Sequence, residues 1–316
     1  MSAHCSTPAD MAETTSPQAV GPRQPCPCGS GRRFKACHGA KSGGSPYVVR
    51  TFEGLPSECD WVAMREIVPA ATAAVRLLGD DKAAERPVQV CSLLPMALPA
   101  LVRQDGAIWL GLHVQHNYGD TSRDLAAALE LALAAEPGTQ VTMVIDPGPG
   151  PRLQDMVDPA TSFEVTVYSG YEYWVADVED PTGQVAASLE AANSAVNPTS
   201  RLSSVAAAYW TEVGDKEFLR WVMPHDEDQL LNALARLHTK GLDRLVDDDR
   251  LVGSFRAHGL LAPVWEVPPG TGAGALEEPA QRFEQQLTEA LAQSDPLSAE
   301  ERSARSGLAN RQLTIR

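Results

Sequence analysis

Residues 107–145, AIWLGLHVQHNYGDTSRDLAAALELALAAEPGTQVTMVI, decide the fold class. The apolar run 107–114 reads as a strand, and Thr121-Ser122-Arg123-Asp124 is a capping-box pattern that opens a helix. That helix must stop before Pro137-Gly138, after which 140–145 reads as a buried strand. A second stretch repeats the order: strand 218–223, helix 226–240 and strand 251–255. Its helix carries Leu230, Leu231, Leu234 and Leu237 on one face and is stopped by Gly241. The expected class is therefore α+β, assembled from α/β elements that echo one another in two halves. Two strand–helix–strand units look alike in any chain of this kind, so the likeness alone does not establish a duplication.

Working outward, 61–78 reads as a helix kinked at Pro69 and stopped at Gly79, and 88–94 as a strand. Gln104-Asp105-Gly106 is a turn signal ahead of the strand at 107–114. Between the halves, 164–168 and 171–178 read as strands, and 184–195 and 203–211 as helices. A closing β pair, 251–255 with 260–267, turns around Gly259. A Gly/Pro-rich segment, 268–274, leads to two amphipathic helices, 279–293 and 298–310, the latter opened by the capping box Ser298-Ala299-Glu300-Glu301.

The chain has 316 residues, 43% hydrophobic and 21% charged, enough for one large core or two modest ones. Its 26 Lys and Arg against 41 Asp and Glu give a net charge of -15. The imbalance is uneven. Residues 1–50 carry six cations and two carboxylates, residues 51–300 carry 16 and 38, and the last 16 residues carry four and one. A basic head and a basic tail thus flank an acidic body, which excludes the body as a surface for double-stranded DNA or an anionic membrane. No run approaches the roughly 20 apolar residues of a bilayer span, and the first 25 residues lack an apolar leader core, so no membrane insertion and a cytoplasmic address are expected. Composition divides the chain into a disordered start (1–20), a Cys-rich segment (21–40), a flexible linker (41–50), the acidic body (51–275) and a helical segment with a basic tail (276–316).

Three of the six cysteines fall within twelve residues, in Cys26-Pro27-Cys28-Gly29-Ser30-Gly31-Arg32-Arg33-Phe34-Lys35-Ala36-Cys37-His38-Gly39. Zinc favours a tetrahedron of thiolate and imidazole donors, and Cys26, Cys28, Cys37 and His38 supply four of them. Pro27 sets the tight turn between the first two, while Gly29 and Gly31 let the backbone wrap the metal. Three thiolates leave the site with a charge of about -1, which Arg32, Arg33 and Lys35 are placed to neutralise. Four protein ligands leave no position for a catalytic water, so the ion is structural, and a knuckle this small folds only with its metal.

This segment resembles the SEC-C motif, the zinc-binding tail of the translocase motor SecA, over about 15 of the 316 residues. The resemblance implies zinc at Cys26, Cys28, Cys37 and His38, one ion per chain. Since the SecA tail contacts an export chaperone and the ribosome, it also implies a protein or ribosomal partner, with Arg32, Arg33 and Lys35 as contacts. No G-x-x-x-x-G-K-[ST] loop is present, so the motor's ATPase activity is not implied. The body, with Ala208-Tyr209-Trp210, Leu219-Arg220-Trp221 and the run from Arg256 to Trp265, resembles an actinobacterial family of unknown function that carries an N-terminal SEC-C motif. That resemblance brings no activity.

Other constellations read more plainly. His113, His116 and Asp120 follow a strand end, yet a spacing of three puts the two rings on opposite faces of a strand. His225 precedes Asp226, Glu227 and Asp228, carboxylates that suit a helix N-terminus without catalysis. Three prolines in 146–152 remove the donors a phosphate loop needs, and Asp247-Asp248-Asp249 lacks the spacing of a calcium loop. The six tryptophans read as core. The sequence thus favours a non-catalytic zinc-binding adaptor. The alternative is an enzyme with its site in the body, which a pocket gathering His113, His116, Asp120 or His225 would mark.

Overall fold

Helix α1, Glu58–Glu66, is buried around most of its circumference: Cys59, Asp60, Trp61, Val62, Ala63 and Met64 are all inside. A helix with no solvent face must lie within the molecule. In the computed structural model, which describes residues 47–79, 85–114, 118–142, 146–175 and 184–313, it shares one core with a face of each of two sheets. The expected disordered start, the zinc knuckle and most of the linker lie outside the described residues.

The first sheet holds β1 Ala71–Val75, β2 Val88–Cys91, β3 Ala100–Val102, β4 Ile108–Gly111, β5 Gln140–Val141 and β6 Thr166–Val167 in the order β5-β3-β4-β2-β1-β6. Only β2 and β4 are parallel. Alternate residues Val88, Val90, Ala100, Val102, Ile108 and Leu110 face the shared core, where Leu125 and Leu129 of α2, Thr121–Leu133, join them.

The second sheet, entirely antiparallel, runs β10-β11-β9-β8-β7, from β7 Thr199–Arg201, β8 Ala208–Val213, β9 Lys216–Trp221, β10 Arg250–Ala257 and β11 Leu260–Val267. Both of its faces are covered, so its strands are apolar on both sides. Tyr209, Leu260, Ala262 and Val264 join the core around α1. Leu219, Trp221, Leu261 and Trp265 face a second core with α4 Glu227–Thr239, α5 Glu277–Leu291 and α6 Ala299–Asn310. Helix α3, Gln184–Asn193, precedes this sheet. The architecture is α+β, as expected, and no helix among the described residues is long and apolar enough to cross a membrane.

Several local expectations are overturned. The helix expected over 61–78 ends at Glu66, because Pro69 disfavours a helical residue before it, and the Ala-rich stretch beyond becomes β1. The expected helix at 203–211 is instead a turn over 203–207 followed by the start of β8, which pairs with β9 along its whole length. The expected strand at 171–178 begins as a short 3-10 turn, Glu172–Val175, in which Trp174 stacks on Tyr171 and donates to the Leu93 carbonyl at 2.9 Å. The capping box at Ser298 forms as read. The two echoed units are real as arrangements: β4 and β5 run the same way with antiparallel β3 between them, and β9 and β10 do so with β11 between them.

A buried polar contact ties the middle of α1 to the second sheet. Asp60, 3% exposed, accepts from Arg201 Nε at 3.1 Å and Nη2 at 3.2 Å, and from the Tyr209 hydroxyl at 2.6 Å. Removing one partner of a buried ion pair leaves the other uncompensated. Asp60→Ala is expected to lower unfolding free energy by about 3 kcal/mol in urea titration, whereas Asp60→Ala with Arg201→Met should recover part of the loss.

Candidate functional site

The last turn of α1 carries Arg65 and Glu66 to the place where the two sheets' ends meet. Arg65 donates through Nη1 to the Leu112 carbonyl, and its Nε lies 3.4 Å from Glu66 Oε1. Glu66 Oε1 also lies 2.9 Å from His258 Nε2. His258 sits in the two-residue turn between β10 and β11, where Ala257 pairs with Leu260. Both turn residues have positive φ, 48° at His258 and 78° at Gly259, the geometry of a type I′ hairpin turn. Gly259 is obligatory, since a Cβ there would stand 2.9 Å from the backbone of Arg50. The His258 ring is held against Phe52, with centroids 5.0 Å apart.

From the other side comes His113. Because β2 and β4 are parallel, Ser92 and His113 leave their carboxyl ends side by side, joined by the bond from His113 N–H to the Ser92 carbonyl at 2.9 Å. Asp124, in the first turn of α2, accepts the Tyr118 N–H at 2.9 Å through Oδ2. The carboxyl ends of parallel strands and the start of the following helix are a usual place for ligands.

Five buried side-chain polar atoms lack a hydrogen-bond partner among the described residues, and four of them belong to this region: Arg65 Nε, Ser92 Oγ, His113 Nε2 and Asp124 Oδ1. Such orphans are uncommon, and their gathering is a physical signal of a polar site. Burial and the nearby Arg65 charge push the His113 pKa down, which leaves a neutral imidazole at neutral pH. Burial, then the charges of Asp120 and Asp146, raise Asp124. Burial would raise Glu66, but the His258 bond and the charges of His258, Arg65 and His113 hold it below the usual carboxylate range.

The remaining sequence candidates separate. Asp120 caps α2, accepting from Ser122 N–H at 3.1 Å, and binds Arg152 Nε at 2.6 Å, so it is structural. His225 lines a different cavity of about 460 Å3, beside Trp221, Met223 and Leu287. Asp226 is the N-cap of α4. Asp146 accepts the Gly148 N–H at 3.0 Å, a rigid turn as read, and Asp249 closes another by accepting from Leu245 and Val246. Trp61, Trp221 and Trp265 are core residues. His116 lies outside the described residues. Sequence reasoning missed Arg65, Glu66 and His258; the local signal that pointed to one of them was the His-Gly pair at a hairpin turn.

For a metal, the described residues provide no group of three or more His, Cys, Asp or Glu that would hold one. Cys59 and Cys91 are buried, and burial pushes the Cys59 thiol up to about 12 and raises Cys91 as well, so neither is a ready ligand. Cys26, Cys28, Cys37 and His38, with Arg32, Arg33 and Lys35, lie outside the described residues; their donor chemistry, three thiols and an imidazole, fits zinc.

Two packed sheets around one buried helix, flanked by helices, define an α+β body preceded by a Cys/His segment. Residues 51–316 match the model of the family of unknown function DUF5926, and the chain belongs to that family. Residues 23–40 match the SEC-C motif, a zinc-binding motif. No curated protein and no solved structure gives a significant match.

The Glu66 geometry sets a pH dependence. Its folded pKa is depressed, so its contribution to stability is present above the unfolded carboxylate range and is lost as pH falls through the folded value. Thermal unfolding of wild type should therefore lose stability on acidification more steeply than Glu66→Gln, with the two curves converging at the acid end.

Proposed function

We propose that this chain is a zinc-dependent adaptor of the cytoplasm, whose basic head joins the acidic body to a protein or ribonucleoprotein partner. The observation that carries the reading is the SEC-C match at residues 23–40, with all four donors in place at Cys26, Cys28, Cys37 and His38. The head carries Arg23, Arg32, Arg33, Lys35 and Lys41 and no carboxylate between residues 21 and 45, a charge suited to an acidic partner. Exposed charges interact over a Debye length of ~8 Å at physiological salt, so the contact is close-range and salt-sensitive. The absence of a phosphate-cradling loop argues against a motor.

Metal analysis of the purified chain should find one zinc, falling to near zero in Cys37→Ser while the body's unfolding transition stays in place. Full zinc retention after deletion of residues 1–45 would overturn the assignment. Capture of ribosomes or an acidic chaperone should weaken with added salt, with Arg32→Glu/Arg33→Glu, and with chelator, because the knuckle folds around its metal. Capture that survives chelation and charge reversal together would move the interaction to the body.

A further inference from the structure

A cavity of about 400 Å3 opens beside the β10–β11 turn, lined in part by Tyr47, Thr51, Gly119, Glu227, Arg256 and His258. Its volume lies in the range of small-molecule sites. His258 is its one imidazole, and the ring is fixed on both sides: the Phe52 ring packs on it, and Glu66 holds Nε2 at 2.9 Å. In the neutral ring a carboxylate takes the Nε2 proton as a hydrogen bond, which leaves the lone pair on Nδ1. Among the described residues Nδ1 has no hydrogen-bond partner, and it is not one of the polar atoms sealed away from solvent. This is the arrangement in which the second nitrogen of a neutral histidine can accept a hydrogen bond.

Arg256 supplies the complementary group. Its Nε and Nη2 are taken by the two oxygens of Glu227, while Nη1 has no partner among the described residues. The Arg256 and Glu227 charges neutralise one another, so His258 Nδ1 and Arg256 Nη1 stand in the cavity, beside the Thr51 and Tyr47 hydroxyls, as groups suited to a polar ligand more than to an ion. Backbone strain points the same way. A type I′ turn favours Asn-Gly, and a histidine held at a φ of 48° costs about 1 kcal/mol or more, a cost that concentrates at functional positions.

We infer that the body holds a small-molecule site in this cavity, in which Glu66 orients His258 to accept a hydrogen bond from a ligand hydroxyl or amide N–H while Arg256 donates to a neighbouring carbonyl oxygen. The ligand class is a small uncharged hydroxy-amide. The site lies within the body and does not rest on the zinc reading.

The test uses the full chain and diethyl pyrocarbonate, which acylates an unprotonated, accessible imidazole nitrogen, with peptide mass spectrometry as the readout. His258 should react, and glycolamide or lactamide at millimolar concentration should protect it. His113 should show no such protection. The reaction at His258 should slow in Glu66→Gln, where the tautomer is no longer set. His258→Asn keeps the turn, because Asn-Gly suits type I′ geometry. It should remain folded, with an unfolding transition lowered only by the loss of the Glu66 bond, yet lose the glycolamide-induced shifts of the Tyr47 and Gly119 signals in NMR spectra. Protection equal or better with glycolate or lactate would make the cavity an anion site and overturn the assigned class. An unreactive His258, or a reactive one that none of these probes protects, would overturn the site itself.

Discussion

Burying a helix from every side leaves its polar groups with nowhere to go, and Asp60 is the one carboxylate that α1 takes fully inside. Its three bonds, two from Arg201 and one from the Tyr209 hydroxyl, reach across to β7 and β8. A carboxylate that loses such partners in an apolar interior costs several kcal/mol, so α1 and the second sheet are bound to one arrangement. The apolar residues around Asp60 favour burial in general; the ion pair selects which rotation of the helix is buried. Everything at the end of α1 inherits that choice.

Arg65 and Glu66 are what it inherits. Five and six residues beyond Asp60, about a turn and a half of helix, they come out of the core between the carboxyl ends of β2 and β4 and the hairpin turn of the second sheet. Elements far apart in the chain therefore meet there: the end of α1, the residue after β4, the start of α2 and the β10–β11 turn. The result is a row of ionisable groups, from Asp124 and His113 through Arg65 and Glu66 to His258, in which burial and then neighbouring charges move Asp124, His113, Arg65 and Glu66 from their ordinary values.

Periodicity and local chemistry made much of this fold legible in the sequence. The Leu230, Leu231, Leu234, Leu237 stripe marked α4, the Ser298 box marked α6, and Gly259 marked the closing hairpin. What failed was decided by partners distant in sequence. Ala208–Val213 has the composition of either a helix or a strand, and β9 made it a strand. The zinc donors were legible because one loop holds all four. The candidate site in the body was not, because Glu66 and His258 are 192 residues apart and nothing in either neighbourhood names the other.

The two strand–helix–strand units carry a record in their connectivity. In the first, the middle strand comes earliest, β3 then β4, α2 and β5; in the second it comes last, β9, α4, β10 and then β11. The two orders differ by moving one strand from the front to the back, which is a cyclic permutation of the same four elements. The strand–helix–strand part keeps its chain order in both halves, β4-α2-β5 and β9-α4-β10, so the halves differ only in whether the chain reaches the middle strand before that part or after it.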